Sequence, residues 1–360
     1  MKKPLLTLIL ALTVICTPLA AARATILFAG SEDSDFTCLG ECYATTTAGY
    51  FNSGYVREAL FTVGWWSSLL SPTFTASSTL WIHAVYGNWG IDNGLTPILE
   101  VYSPDGVDRI DLYASNTGQT LTIRKVNAAG TATNLATMSG AAAYCFSRPA
   151  LHPLDLYINY STTGEVALYC DGAKVADYTG DVTTDSATQL DQFSVWDTDT
   201  GDHGNQPNYS QDWSEFIVAT TNTTAMHLVT LAASGAGATD NWTGAYTDVN
   251  EVTLNDTTIN STTSSGQIQL YTVGSLPSGT FSILDVGVNM RAQVDTTGPQ
   301  HIDAMVRTTD GSNHISSNLA PPQSSWGPVW AGWATNPHTS AAWTASDLGS
   351  GFNTGFESQP

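Results

Sequence analysis

The sequence predicts an all-β protein built as two sandwich-like domains, and three observations carry that prediction. Beyond the first two dozen residues there is no long apolar pattern of period 3.6, so amphipathic helices are not expected. Short alternating runs bounded by Gly, Asn, Asp, Ser and Pro recur instead, the pattern of half-buried strands. Val166 to Val175 reads as two strands joined by Asp171-Gly172, a pair that tolerates positive φ in a tight hairpin turn.

Residues 1–24 read as a secretory signal peptide. Lys2 and Lys3 precede an apolar run from Leu5 to Ala22, and Ala20, Ala22 and Ala24 allow cleavage after Ala22 or Ala24. The first domain spans 25–231. Its candidate strands are Ile26–Ala29, Tyr55–Thr62, Leu80–Tyr86, Ile98–Tyr102, Asp108–Tyr113, Leu121–Val126, Leu154–Tyr160, Glu165–Cys170, Ala173–Tyr178, Gln192–Trp196, Glu215–Ala219 and His227–Leu231. Residues 232–241, rich in Gly, Ala and Ser, read as a linker, and 242–360 as the second domain. There the polar stretch Asn250–Gly266 reads as a surface loop, followed by strands Gln267–Val273, Thr280–Val294 and His301–Arg307. Alternation from Ile283 to Val294 puts Ile283, Asp285, Gly287, Asn289, Arg291 and Gln293 on a wet face and Leu284, Val286, Val288, Met290, Ala292 and Val294 on a core face.

Charge excludes several partners. Of 360 residues only 12% are charged, with 32 acidic against 11 basic and a formal net charge of −21. A polyanion needs a Lys/Arg footprint that releases its counterions, so nucleic acid is not expected. An anionic membrane surface is excluded by the same sign, once the signal segment is gone. Hydrophobic residues at 42%, with 11 Trp, supply enough apolar surface to fold.

Export leaves four cysteines, Cys38, Cys42, Cys145 and Cys170, for which three pairings exist. Local pairing, Cys38 with Cys42 and Cys145 with Cys170, is preferred; zinc is the rival, without a His beside either pair. Asn159, Asn208, Asn222, Asn241, Asn255 and Asn260 head six glycosylation sequons.

A search for catalytic chemistry returns little. A glycosidase needs two carboxylates flanking the sugar, and the nearest cluster, Glu32-Asp33-Ser-Asp35, follows Gly30 in turn-like sequence. Nucleophile elbows and zinc helices are missing. His83, between Ile82 and Ala84, reads as structural. No enzymatic activity and no certain cofactor are therefore expected. Asp197, Asp199 and Asp202, around Gly201, read either as a solvated turn or as a half-motif for Ca²⁺. Trp and Tyr faces stack on sugar rings, so Trp65, Trp66, Trp81, Trp89, Trp326, Trp330 and Trp333 are candidates for a glycan platform or an interface. The Trp326, Trp330 and Trp333 group, among Gly and Pro, suits an intersubunit contact.

The order of Leu154 to Tyr160, Gly164 to Tyr169, Asp171-Gly172 and Val175 to Gly180, then Trp213 to Ala219, resembles the central strands of a concanavalin A-like, laminin-G-type jelly roll. Ile26 to Phe36, Trp242-Thr-Gly244 with Val249-Asn-Glu251, and Asn336-Pro337 with Ala342 to Leu348 resemble tailed-phage and prophage virion proteins of structural or decoration type, over nearly the whole mature chain. The resemblance implies an N-terminal jelly roll followed by a smaller β domain. The leader and cysteines depart from a virion component and fit an exported relative. The resulting expectation is a secreted or virion-like surface protein that assembles with copies of itself as a filament, coat or appendage, and binds glycan through the jelly roll. A monomeric secreted lectin-like module is the alternative; a divergent glycoside hydrolase is the third reading.

Overall fold

A computed structural model describes residues 25–39, 42–45, 55–58, 68–88, 95–115, 120–139, 151–185, 187–195, 211–250, 255–316 and 318–360. Among these residues the chain is nearly all β and antiparallel, as the alternation requires. In the first domain an eight-stranded sheet runs β13 (Ala173–Gly180), β12 (Gly164–Cys170), β11 (Leu151–Asn159), β6 (Thr79–Asn88), β15 (Gln211–Ala219), β4 (Tyr55–Glu58) and β3 (Cys42–Thr45), with β1 (Ile26–Gly30) also on β15. A seven-stranded sheet runs β10 (Ala132–Ser139), β9 (Thr120–Val126), β8 (Arg109–Ser115), β7 (Leu95–Tyr102), β14 (Gln192–Val195), β5 (Ser68–Leu70) and β2 (Thr37–Leu39).

The core lies between these sheets. Leu80, Ile82, Ala84 and Tyr86 of β6 and Leu154, Leu156 and Ile158 of β11 meet Ile110 and Leu112 of β8, Leu121 and Ile123 of β9 and Phe193 of β14. The period of two sends the intervening side chains outward. Thus Trp81, His83, Asp155 and Tyr157 share the outer face of the larger sheet. The hairpin turn is as expected, with Asp171 and Gly172 at φ 48° and 76° joining β12 to β13.

The second domain pairs a five-stranded sheet, β16 (Ala233–Asp240), β17 (Ile268–Val273), β22 (Asn353–Gln359), β19 (His301–Arg307) and β20 (Asn313–Ile315), with a two-stranded one, β18 (Val286–Ala292) and β21 (Gly327–Trp333). Val288, Ala304, Val306, Ala331, Trp343 and Phe352 fill its core.

Three local expectations change. Residues 233–240, inside the expected linker, are strand β16; its glycines permit close pairing with β17, since a Cβ on Gly237 would lie 2.5 Å from the Leu270 carbonyl carbon. His227–Leu231 joins no ladder and instead belongs to a strap, residues 220–232, laid over the outer face of the larger sheet. The face of β18 expected to be wet is the docking face. Asn289 donates from Nδ2 to the Ala29 carbonyl (2.8 Å), and Trp330, opposite Asn289, packs on Phe28 with ring centroids 6.4 Å apart.

Candidate functional site

The outer face of the eight-stranded sheet carries two adjoining features, one aromatic and one ionisable. In one cross-strand row Trp81 of β6 lies opposite Tyr157 of β11; in the next, His83 lies opposite Asp155, and Asp155 opposite Tyr169 of β12. Trp81 sits between the tyrosines, with ring centroids 4.8 Å from Tyr157 and 5.4 Å from Tyr169 at interplanar angles of 33° and 37°. The three rings form one shallow, tilted platform. Tyr157 and Tyr169 are half-buried and Trp81 is 9% exposed, so the tyrosines provide most of the accessible face. Burial, and then Glu165 and Tyr169, push the Tyr157 hydroxyl above its ordinary range, against a smaller opposing pull from Lys174.

Beside the platform is a polar cluster whose sheet residues are fully buried. His83 donates from Nδ1 to Asp155 Oδ1 (2.8 Å), and Thr223 Oγ1 donates to the same oxygen (2.6 Å). His83 Nε2 faces Glu215 Oε2 at 4.0 Å, and that oxygen accepts from His227 Nδ1 (3.2 Å) and the Leu228 amide (3.4 Å). His83, Asp155 and Glu215 are 1%, 0% and 0% exposed. His83 Nε2 and Asp155 Oδ2 have no hydrogen-bond partner. Glu215 owes its outward aim to a bulge in β15 between Ser214 and Ile217, which keeps Trp213 and Phe216 in the core, and it sits at φ 56°. Thr223, His227 and Leu228 all belong to the strap. The strap also reaches β1, where Thr230 and Ser31 hydroxyls lie 2.6 Å apart.

The other sheet carries an ionic network. Arg109 Nε donates to Asp111 Oδ1 (2.9 Å) and forms an ion pair with Glu100 Oε1 (3.0 Å), Arg124 donates to Asp111 Oδ2 (2.7 Å), and Tyr102 and Ser194 hydroxyls donate to Glu100. Arg124 also lies 3.4 Å over the Tyr113 ring. Burial, then Glu100, push the Asp111 carboxyl up to about 6, against the pull of both arginines. Each carboxylate oxygen here already has a charged or hydrogen-bonded partner, which marks a structural ion pair rather than an open site.

Most residues singled out from sequence lie elsewhere. Trp65, Trp66, Trp89, Asp197, Asp199, Asp202, Cys145 and Asn208 fall outside the described residues, as does the side chain of Cys42. Cys38 and Cys170 are disulfide-bonded. His152, Cys170 and Asp171 form a metal-sized group, but a disulfide sulfur is no thiolate ligand. Trp330 is spent on the joint between domains; Trp333 packs in the second core, where its carbonyl accepts from Trp343 Nε1 (2.6 Å); Trp326 is half-buried just before β21. Of the sequons, Asn222, Asn241 and Asn255 are exposed, Asn159 is half-buried at the end of β11, and Asn260 gives its amide to the Tyr271 hydroxyl. Tyr157, Tyr169, Asp155 and Glu215 were missed. Period two in Leu154-Asp-Leu-Tyr and Val166-Ala-Leu-Tyr already separated Asp155, Tyr157 and Tyr169 from the core leucines.

No protein-family model and no curated protein matches the chain. Among solved structures it is similar to an endo-beta-1,4-glucuronan lyase from the fungus Trichoderma reesei, at 18% identity over 55% of this chain and 96% of that one, with a TM-score of 0.41. It is also similar to the cellulose induced protein Cip1 (10%, 54% and 90%, 0.37). A third is domain 4 of AbnA, a GH43 extracellular arabinanase from Geobacillus stearothermophilus in complex with arabinotriose (15%, 55% and 93%, 0.36). None of these three is a virion protein. The expectation of no enzymatic activity is withdrawn: two histidines and two carboxylates meet beside the platform where the sequence offered no such constellation.

Proposed function

We propose that this chain is an exported carbohydrate-binding protein whose first domain holds glycan on the Trp81, Tyr157 and Tyr169 platform. The observation that carries the reading is Trp81 with two accessible tyrosine rings at 4.8 and 5.4 Å from it on an outer sheet face. Flat apolar ring faces suit the C–H faces of sugars, and the tyrosine hydroxyls and nearby carboxylates suit sugar hydroxyls. Disulfide-bonded Cys38 and Cys170 support passage through an oxidising compartment. Trp330 and Trp333, two of the aromatics expected at an intersubunit contact, are used within the chain.

Glycan-array binding followed by calorimetric titration tests this. Tyr157→Ala and Tyr169→Ala are each expected to weaken binding about tenfold, or ~1.4 kcal/mol, without loss of fold. Unchanged affinity in both variants sinks the platform. The same mixtures, assayed for newly released chain ends, reveal whether the neighbouring His83, Asp155 and Glu215 cluster adds cleavage to binding.

A further inference from the structure

We propose that the platform selects glycan chains that bear no carboxylate or sulfate group; the inference rests on the platform binding glycan at all. The rim of the platform is acidic and its cation is already taken. Lys174, opposite Tyr169 in register and 5.9 Å from that ring, is held by Glu165 Oε1 at 3.0 Å and Asp177 Oδ2 at 3.6 Å. Asp177 ends the row that runs from Trp81 through Tyr157 and Ala167, so two carboxylates stand against one ammonium where a bound chain would leave the rings. A third carboxylate, Asp155, lies directly between His83 and Tyr169.

The consequences differ by ligand. A neutral sugar stacked on the rings loses nothing to this field, and its hydroxyls can donate to Glu165 and Asp177, bonds strengthened by the charge of the acceptor. A uronate or sulfated sugar brings like charge to the same rim. Among the described arginine side chains of the first domain, Arg109 and Arg124 are on the other sheet and committed to Glu100 and Asp111. The chain's net charge of −21 adds repulsion of the same sign at longer range.

The full chain is titrated, at low and high salt, with two oligosaccharides of one β-1,4 linkage, one of glucose and one of glucuronic acid, alongside an array of neutral and carboxylated chains. Neutral chains are expected to bind independently of salt, and carboxylated counterparts about tenfold more weakly at low salt, with the gap closing as salt screens the rim. Joint Glu165→Gln and Asp177→Asn substitution frees Lys174 and removes both charged acceptors; it is expected to weaken neutral binding about threefold and raise carboxylated binding about tenfold. Carboxylated chains that bind as tightly as neutral ones, and whose binding Tyr157→Ala weakens, overturn the selectivity and leave the platform standing. Absence of binding by every chain, or binding indifferent to Tyr157 and Tyr169, overturns the platform and the selectivity together.

Discussion

Glu215 occupies the left-handed region at φ 56°, where a residue with a Cβ is strained by about 1–3 kcal/mol, and it persists because its carboxylate is held by His227 and the Leu228 amide. Glycine relieves this strain and alanine does not. Both substitutions delete the same bonds, so Glu215→Gly is expected to destabilise less than Glu215→Ala by about 1 kcal/mol in denaturant unfolding. Equal costs would show that the backbone at this position is unstrained. At this scale the sequence was partly legible. Trp81 was named as a candidate platform aromatic, and His83 as a structural residue of an apolar strand. Asp155 as its partner was not, since the pair is 72 residues apart and is brought together only by the β6 and β11 register.

The strap is the element that decides what the outer face can do. It has no ladder of its own, and its hold on the sheet is a few polar contacts, chiefly Thr223 to Asp155, His227 to Glu215 and Thr230 to Ser31. Thr223→Val keeps the shape and removes the bond, leaving a buried carboxylate short of a donor at a cost of about 1–3 kcal/mol. Faster amide exchange confined to 220–231 is the expected readout; exchange spread evenly over the first domain would show that the strap is not a separate unit. Elements with strong alternation were legible in sequence: β6, β8, β9, β11, β12, β17 and β19 all overlap expected strands. Strands β16 and β21 were not. Ala233 to Asp240 and Gly327 to Trp333 are rich in small residues or Gly, and their extended form comes from a partner's backbone, not from their own side chains.

Across the whole molecule, the two domains meet through β18 and β21 on β1. Asp285 lies on the docking side of that joint, beside Gly332 and the Trp330 ring, with Oδ1 lacking a partner. Burial pushes its carboxyl from 3.8 up to about 7, opposed only by the Trp333 amide. The folded chain thus holds this proton more tightly than the unfolded chain. The stability it confers is complete below pH 3.8 and is lost as pH rises through about 7. Asp285→Asn keeps an acceptor for the Trp333 amide and cannot ionise, so the fall in melting temperature between about pH 4 and pH 7 is expected to flatten in that variant. A parallel fall in both proteins would assign the slope to other groups, Asp111 among them.

What the sequence by itself determined is local: strands of period two, the Asp171-Gly172 turn, and the division of each strand into an apolar and a polar face. Those follow from backbone pleating and side-chain hydrophobicity, which act between near neighbours. What lies against each polar face was decided by tertiary structure alone. The same alternation describes His83, sealed under a strap, and Asp285, pressed into a domain joint, because a pattern of faces carries no information about which distant segment will cover them.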